Sequence, residues 1–392
     1  MGQSHHCHLE KNLSDLFEPY NLSGLSLPNR VVMAPMTRSR ARNADAPDAD
    51  TALYYRQRAT AGLLITEGSQ ISQEGKGYLY TPGMYTALQV AGWKEVASAV
   101  HQAKGRIFAQ LWHVGRNSHV SLQPDGNAPV GPTDEVARGT FAFAFDADGE
   151  PGQVPVSKPR ALETSEVKRL VLDFVAAADR AIGAGMDGIE LHAANGYVFE
   201  QFINGGINRR ADEYGGQTIQ SRLRFTLETV DAVVARIGRH RTGIRLAPYG
   251  RLFDMPAFDD EQETWLTLAR ELSARDLAYV HLSDQSSLGM GGQEIPPEFL
   301  KQFRDAYRGT LILAGGFNAV KAQDALDRRL ADLVAFGVPF IANPDLVDRM
   351  RSGWPLAEAD RSTFYGGGNA GYIDYPPHST LGGNHAAHAR RR

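Results

Sequence analysis

The 392-residue sequence has one cysteine, Cys7, and no apolar run long enough to cross a membrane. A single thiol excludes an intrachain disulfide and a four-cysteine zinc site. No segment approaches the ~18–20 apolar residues of a transmembrane helix, and the N-terminus lacks the apolar core of a signal peptide. We therefore expect a cytoplasmic protein that makes no contact with a membrane.

An excess of charge of one sign is also lacking. The chain has 41 basic and 45 acidic side chains, a formal net charge of -4, so no overall positive field would hold nucleic acid. The hydrophobic fraction of 42% excludes intrinsic disorder. Three histidines flank Cys7 within residues 5–8. No second cluster lies at ligand spacing, so we predict no metal site.

Eight short apolar segments, each ending near small or polar residues, suit buried parallel strands. They occupy residues 29–35, 63–68, 106–112, 188–194, 242–248, 278–283, 310–316 and 331–337. Helical spacing predicts helices at 165–182, 221–237, 260–275, 297–307 and 318–329. Ser165 is the expected N-cap of the first helix and Gly183 its expected stop. Eight alternating units predict an α/β fold, the (β/α)8 TIM barrel, rather than an open doubly wound sheet.

Three segments exceed the needs of a minimal barrel: 1–28, 113–164 and 352–392. Segment 113–164 contains the alternating sequence TFAFAF at 140–145, which predicts a hairpin excursion after the third strand, lying over the barrel mouth as a lid. Segment 352–392 is a C-terminal extension rich in Gly, Pro and aromatic residues. Without these segments the length is close to the ~250 residues of a typical TIM barrel. We therefore expect one domain over 1–392.

Residues 183–188, GAGMDG, match the dinucleotide-binding pattern G-x-G-x-x-G. That pattern binds a pyrophosphate where it follows a strand and opens a helix. Here it follows a predicted helix and precedes a predicted strand. We therefore interpret it as an αβ turn and reject a Rossmann site.

In a TIM barrel the chemistry lies at the C-terminal ends of the strands. In this chain those ends carry amide, guanidinium, imidazole and phenol groups, and glycines after the last two strands would let backbone amides approach a phosphate. Such polar groups converging on one mouth predict a functional site. The residues concerned are Pro35, Thr37, Gly68, Gln110, Trp112, His192, Asn195, Tyr197, Arg245, Gly315, Gly316 and Gly337.

The segments around these ends resemble the old yellow enzyme family of flavin-dependent ene reductases. The resemblance runs nearly end to end, through NRVVMAPMTRSR, FAQLWHVGR, HAANGYVFEQF, NRRADEYGG, FIANPDL and FYGGGNAGYIDYP. It implies a TIM barrel with noncovalent FMN at the C-terminal mouth and NADPH or NADH as reductant. The implied reaction reduces the C=C bond of α,β-unsaturated carbonyl or nitro compounds.

The resemblance also implies which residues surround the flavin. Gln110 offers a donor and an acceptor to the pyrimidine edge. Arg245 lies at the N1–C2 carbonyl end, where negative charge accumulates on reduction, and the Thr37 hydroxyl lies near the C4 carbonyl. Gly68 leaves room for the ring. The implied set is Pro35, Met36, Thr37, Gly68, Gln110 and Arg245.

His192 and Asn195 match the family pair that holds the carbonyl or nitro oxygen of the substrate. Hydride addition from FMN N5 to the β-carbon pushes charge onto that oxygen, so two fixed donors favour the transition state. Tyr197 matches the proton donor to the α-carbon, since a tyrosine is protonated at neutral pH. Trp112 and Tyr365 match pocket walls that orient the substrate.

One position departs from the family pattern. Where many members have an arginine after the eighth-strand glycine, this chain has Val338, which removes a bidentate contact to the FMN phosphate. The amides of Gly315, Gly316 and Gly337 and a helix N-terminus near Asn343 remain to bind the anion. We predict that FMN still binds, with lower affinity.

Three alternatives remain open from the sequence. The same flavin barrel could act mainly as a nitro- or nitrate-ester reductase or as a biosynthetic isomerase. A flavin-free, phosphate-binding aldolase or isomerase is disfavoured, because no lysine lies at a strand end to form a Schiff base. A noncatalytic ligand-binding barrel would not need Tyr197 and Arg245 beside the oxygen-binding pair. The sequence is compatible with a monomer or a homo-oligomer.

Overall fold

All eight segments predicted as strands form strands in a computed structural model of the protein, which describes Leu13 and residues 15–288 and 292–378. Every residue of the eight observed strands is buried, as expected for strands covered on both faces. Each strand pairs in parallel with the next and the eighth pairs with the first, so the barrel is closed and the predicted fold is confirmed. The strands are β1 (Val31–Met33), β2 (Leu63–Ile65), β3 (Ile107–Trp112), β4 (Gly188–Ala193), β5 (Thr242–Leu246), β6 (Tyr279–Ser283), β7 (Leu311–Ala314) and β8 (Leu333–Phe336).

Helices alternate with the strands and cover the outside of the barrel. They are α1 (Ala49–Gln57), α2 (Ala87–Gln102), α3 (Thr164–Gly183), α4 (Ile219–Ile237), α5 (Glu261–Arg275), α6 (Pro297–Ala306), α7 (Ala319–Asp327) and α8 (Leu346–Ser352). Two shorter helices, Val198–Ile203 and Val338–Ala342, follow β4 and β8 directly. None of the helices within the described ranges is long and apolar enough to span a membrane. The five predicted helices are all present.

The predicted ends of α3 are wrong by one or two residues. The helix begins after Glu163 rather than Ser165, because the Glu166 carboxylate accepts the Glu163 N–H at 2.7 Å and so closes the first turn earlier. Gly183 is the last helical residue, and Gly185, with φ +93°, takes the left-handed conformation beyond it. Residues 183–188 therefore form the predicted αβ turn.

The barrel interior is apolar at one end and polar at the other. A hairpin of Tyr20–Leu22 and Leu25–Leu27 closes the N-terminal end, where the Tyr20 hydroxyl lies 2.8 Å from that of Thr310, just before β7. Its leucines pack in one cluster with inward-facing residues of the strands. Polar residues occupy the interior toward the C-terminal ends. Members of the apolar cluster include Leu22, Leu27, Val32, Leu63, Phe108, Ile312 and Leu333.

The predicted excursion and extension are both present. Phe141–Phe145 pairs antiparallel with Pro151–Pro155, and Leu79 donates its N–H to the Phe143 carbonyl oxygen at 2.8 Å. Arg38 and Arg40, which follow β1, donate to backbone carbonyl oxygens within 363–371 and so anchor the C-terminal extension. The histidine and cysteine cluster at 5–8 lies outside the described residues. Further short strands are Ser69–Gln70, Val130–Gly131 and Arg160–Ala161, and short 3-10 helices are Asp15–Phe17, Val120–Leu122, Pro124–Gly126, Arg239–Arg241, Ser286–Leu288 and Arg361–Thr363.

Candidate active site

Strand register places the polar residues of the barrel interior side by side. Gln110 on β3 pairs with Glu190 on β4. His192 pairs with Arg245 on β5, which pairs with His281 on β6. All five residues are at most 7% exposed. Because alternate residues of a strand point the same way, Glu190 and His192 face the interior together.

Four rings surround Tyr197 at the mouth of the barrel. Its ring centroid lies 5.0 Å from those of Trp112 and His192 and 5.5 Å from that of Phe253. The Tyr78 hydroxyl is 3.4 Å from the Tyr197 hydroxyl, and the Tyr78 ring is stacked on Trp112. The structure therefore brings Trp112, from β3, together with His192 and Tyr197 at the end of β4.

Asn195 lies on a left-handed turn directly after β4. Its φ is +59° and that of Gly196 is +74°, a region that Asn and Gly adopt at low cost. Three side chains hold the turn. Glu200 Oε2 accepts the Gly196 N–H, while Asn117 and Gln201 donate to the Gly196 carbonyl oxygen, each at 2.8 Å. Asn195 is thereby fixed at the strand end, three residues from His192.

Gln285, in the loop after β6, sets the orientation of the Asn195 amide. This buried residue donates from Nε2 to Asn195 Oδ1 at 3.2 Å and accepts the Arg251 N–H at its Oε1, at 2.9 Å. Arg251 in turn pairs with both oxygens of Glu261. Since the Asn195 oxygen is already engaged, its Nδ2 remains as a hydrogen-bond donor.

Burial keeps the two rings on this segment uncharged. Desolvation, with a smaller contribution from the nearby Arg245 and His281, lowers the pKa of His192 well below its ordinary 6.5. Burial, together with the neighbouring Tyr78, raises the pKa of Tyr197 well above 10. Both side chains are therefore neutral hydrogen-bond donors across the neutral pH range.

Arg245 is a buried cation that forms no ion pair with the described part of the chain. Its Nη2 donates to Ser283 Oγ at 2.9 Å, and its Nε has no partner among the residues that the structure describes. Burial lowers the pKa of Arg245, and the nearby Glu190 opposes that shift. A buried guanidinium with uncommitted N–H groups is suited to a carbonyl or anionic ligand.

Pro35, Met36 and Thr37 follow β1 and are each partly buried. The Thr37 hydroxyl forms no hydrogen bond within the described ranges, so it is free for a ligand. Gly68 makes room for a neighbouring side chain. A Cβ at this position would lie 2.5 Å from the Trp112 indole, so the missing side chain lets Trp112 pack against the end of β2.

The two glycines after β7 lie under the loop that follows β6. Gly316 has φ +62°, and Gly315 has φ +144°, so both need conformations that other residues rarely adopt. A Cβ on Gly315 would lie 2.5 Å from Asp284 Cβ. The close approach of this loop therefore requires glycine at that position.

The end of β8 leaves open space. Within the described ranges, a Cβ on Gly337 would meet only the Met36 side chain, at 3.6 Å, and Val338 is 50% exposed. Gly337 precedes the helix Val338–Ala342, and the next helix, α8, begins at Leu346, so a helix N-terminus lies near Asn343 as expected. Asn343 follows the helix Val338–Ala342 and is buried. Its side-chain amide donates to two backbone carbonyl oxygens and accepts one backbone N–H, so it is already fully engaged.

Tyr365 lies at the rim of the site rather than inside it. The side chain belongs to the C-terminal extension and is 67% exposed. It is near enough to contribute to the raised pKa of Tyr78 and of Tyr197, after their burial. The two predicted pocket walls thus differ in depth. Trp112 packs inside the mouth against His192 and Tyr197, and Tyr365 borders the entrance.

Sequence reasoning missed several side chains of this mouth. Glu190 and His281 carried a signal, because each is a polar residue inside an otherwise apolar strand segment and so faces the barrel interior. The other three lie in loops whose paths the sequence does not determine. The missed residues are Tyr78, Glu190, Phe253, His281 and Gln285.

Comparison with known proteins relates most of the chain to one family. A family model described as the NADH:flavin oxidoreductase / NADH oxidase family matches residues 15–357. 12-Oxophytodienoate reductase 1 of Oryza sativa subsp. japonica is 41% identical over 365 residues, covering 92% of this chain and 92% of that protein. 12-Oxophytodienoate reductase 7 of the same organism is 40% identical over 377 residues, covering 92% and 94%.

Solved structures agree with the sequence matches. Morphinone reductase in complex with tetrahydroNAD is 49% identical, with a TM-score of 0.88 and coverage of 92% of this chain and 97% of that one. The chain belongs to the old yellow enzyme family. An old yellow enzyme homologue from Zymomonas mobilis is 37% identical, with a TM-score of 0.86 and coverage of 92% and 99%.

As an old yellow enzyme family member, the protein is an FMN-dependent ene reductase that uses a nicotinamide reductant. The flavin-free aldolase and the noncatalytic barrel are therefore excluded. The residues at the mouth fit FMN. Gln110, Arg245 and Thr37 have uncommitted polar atoms for the ring, and the open space at Gly337 suits a phosphate.

The exposed Val338 leads to a prediction about FMN affinity. We expect Val338→Arg to lower the Kd for FMN about tenfold, because a guanidinium here adds a charge-assisted hydrogen bond to the phosphate. Fluorescence titration of the apoprotein with FMN measures this affinity. The control is Leu172→Arg, at a 65% exposed leucine on α3. Equal FMN affinity of the two variants would show that position 338 does not face the phosphate.

Glu200 leads to a prediction about stability and pH. Burial raises the pKa of this carboxyl from 4.5 to about 8. Between those values the folded protein holds a proton that the unfolded chain releases, so stability falls as the pH rises. Glu200→Gln does not titrate, and we expect its stability relative to the unchanged protein to grow from pH 5 to pH 8, by on the order of a few kcal/mol. Urea unfolding at both pH values measures the difference; a constant difference would contradict the assignment.

Proposed function

We propose that His192 and Asn195 together hold the electron-withdrawing oxygen of an activated alkene. The observation that carries the proposal is that both offer a free donor at the end of β4: a neutral imidazole, and an amide whose oxygen is engaged by Gln285. Negative charge moves onto the substrate oxygen as the alkene accepts hydride. Donors fixed in advance therefore stabilise the transition state more than the bound substrate.

Tyr197 is the proton donor to the α-carbon in this proposal. Its ring lies 5.0 Å from that of His192, so its phenol borders the same substrate position. The raised pKa of Tyr197 supports the role of general acid, because the phenol stays protonated until the α-carbon needs a proton. Trp112, packed against both rings, forms the wall that orients the alkene.

Bound FMN supplies the hydride carried from NADPH or NADH to the β-carbon. The chain binds and orients this group through Gln110 at the pyrimidine edge, Arg245 at the N1–C2 carbonyl end and Thr37 near the C4 carbonyl. The buried charge of Arg245 stabilises the negative charge that accumulates there on reduction. Pro35, Met36 and Gly68 line the ring, and the backbone at Gly315, Gly316 and Gly337 holds the phosphate.

The proposed substrates are α,β-unsaturated ketones and related carbonyl or nitro alkenes. The names of the relatives support ketones, since one group acts on a 12-oxophytodienoate and another on a morphinone. We further infer one domain over 1–392, in which the 113–164 excursion serves as a lid, and a cytoplasmic location. The hairpin's contact with Leu79, beside Tyr78, supports the lid.

Isotope placement tests the proposed reaction. 2-Cyclohexenone is reduced in H2O with NADPH deuterated at the transferred position of nicotinamide C4, and the product is examined by NMR. We expect deuterium at the β-carbon and protium from the donor at the α-carbon. The reverse labels are expected with ordinary NADPH in D2O. Deuterium from NADPH at the α-carbon, or reduction of the carbonyl, would contradict the proposal.

A further inference from the structure

A buried carboxylate lies inside the barrel, one inward-facing position before His192 on β4. Glu190 is 0% exposed. Burying a carboxylate is costly unless its oxygens accept hydrogen bonds and a positive charge lies nearby. None of the roles proposed for the residues at the mouth involves the Glu190 carboxylate.

Both oxygens of Glu190 accept hydrogen bonds from buried side chains. Gln110 Nε2 donates to Oε1 at 2.8 Å, and His281 Nδ1 lies 2.9 Å from Oε2. Because a carboxylate oxygen only accepts, the His281 proton is on Nδ1. His281 is itself fully buried, and its Nε2 has no partner in the described part of the chain. Glu190 is thus an acceptor toward both neighbours, as a carboxylate is.

The contact with Glu190 settles which way the Gln110 amide points. A carboxylate accepts only, so it selects the NH2 end of the amide and turns Oε1 away. Gln110 Oε1 accepts no hydrogen bond from the described residues. It is therefore the acceptor that Gln110 presents to a ligand. The pyrimidine edge of FMN carries an N–H between two carbonyl groups and needs an acceptor opposite that N–H.

Glu190 also supplies negative charge near Arg245. The guanidinium forms no ion pair with the described chain, yet Glu190 acts to raise its pKa against the effect of burial. The two charges therefore interact at a distance inside the barrel. Because Arg245 favours the reduced, electron-rich ring and Glu190 opposes it, the balance of the two bears on how readily the cofactor is reduced.

We infer that Glu190 is a positioning residue for the cofactor: it holds the Gln110 amide with Oε1 toward the pyrimidine edge, and its negative charge lowers the reduction potential of bound FMN. This inference rests on the proposed location of Gln110 and Arg245 at that edge. It assigns to one buried carboxylate both the orientation of a binding side chain and part of the control of the flavin potential.

Glu190→Gln tests the charge without removing the contacts. The new carbonyl oxygen still accepts from Gln110, and the new NH2 can donate to His281, whose proton moves to Nε2. We expect the midpoint potential of bound FMN to rise, with at least a tenfold change in the two-electron equilibrium constant, about 30 mV. The Kd for FMN is expected to stay within a factor of three.

Glu190→Asp tests the contacts without removing the charge. The shorter side chain cannot reach both Gln110 and His281, so the amide of Gln110 loses its anchor. We expect a Kd for FMN about tenfold higher and a midpoint potential close to that of the unchanged protein. A variant that changes only the potential shows the effect of the Glu190 charge, and a variant that changes only the Kd shows the effect of its contact with Gln110.

Glu200→Gln is the matched control at pH 7. It makes the same carboxyl-to-amide change at a buried site, but the raised pKa of about 8 keeps Glu200 mostly protonated, so little charge is lost. We expect no shift in potential. The inference is overturned if Glu190→Gln leaves the potential unchanged, if Glu190→Asp raises it as much, or if Glu190→Gln fails to fold or to retain FMN.

Gln110→Leu separates this inference from the proposal on which it rests. If Gln110→Leu binds FMN with unchanged affinity, the proposed location of Gln110 is wrong. If Gln110→Leu weakens FMN binding while the Glu190 variants behave like the unchanged protein, only the role of Glu190 is wrong. Spectroelectrochemical titration and FMN binding to the apoprotein supply both readouts without turnover.

Discussion

Replacing His192 with leucine is expected to slow reduction of 2-cyclohexenone by roughly 10²–10³-fold, the effect of removing one donor from a preorganised oxyanion site. His192 is buried and neutral, so its N–H is available to the substrate oxygen without first shedding a proton. Leucine has a similar volume and offers no donor. The rate is measured in a single turnover, by mixing anaerobically prereduced enzyme with the enone and following the return of flavin absorbance.

The matched control for this change is His101→Leu. His101 is a partly exposed histidine at the end of α2 that pairs with Asp187, remote from the polar residues of the mouth. We expect its single-turnover rate to stay within a factor of two of the unchanged protein. A loss of less than threefold in His192→Leu would show that His192 does not stabilise the developing charge.

Tyr197→Phe is expected to slow the same step by about 10²-fold or more, the usual contribution of a positioned general acid. Phenylalanine keeps the ring packed against Trp112 and His192 but removes the phenolic proton. Reduction of the enzyme by NADPH needs no proton from this residue. That half-reaction is therefore expected to keep its rate. Stopped-flow measurement of each half-reaction separates the two effects.

Tyr307→Phe serves as the control for loss of a buried tyrosine hydroxyl. Tyr307 is fully buried beyond the end of α6, and its hydroxyl has no partner within the described chain. We expect both half-reactions of this variant to be unchanged. If both half-reactions of Tyr197→Phe were also unchanged, another group would be the proton donor.

Much of the fold could be predicted because its determinants are local. The strands are short apolar runs and the helices have apolar residues at helical spacing, so periodicity predicts both. Their alternation then implies the barrel. The start of α3 was harder to predict. The Glu166 carboxylate accepts the Glu163 N–H and closes the first turn, and this contact competes with capping by Ser165.

In the candidate site, too, the residues that could be predicted together are those that lie close in sequence. His192, Asn195 and Tyr197 are close in sequence at one strand end, so their proximity follows from the chain itself. Glu190 and Gln110 meet only through the register of two strands that lie about 80 residues apart. Such contacts depend on how the strands pair in the closed barrel. Knowing which strand ends carry polar residues does not predict which of those residues touch.

The positions of loop residues could not be predicted from the sequence for a different physical reason. Gln285 reaches Asn195 from the loop after β6, and that path depends on how glycines such as Gly250 and Gly292 pack against it. A close approach between two strands was missed at Gly68 for a related reason. Its missing side chain makes room for Trp112, which arrives from the neighbouring strand.

The central claim is that this barrel binds FMN and passes reducing equivalents from a nicotinamide to an activated alkene. One anaerobic spectrum of the purified holoprotein tests it directly. The account predicts a visible flavin band that bleaches on addition of NADPH and returns on addition of 2-cyclohexenone. A protein that stays colourless after incubation with FMN and removal of the excess would contradict the flavin site. A band that bleaches and does not return with the enone would contradict ene reduction.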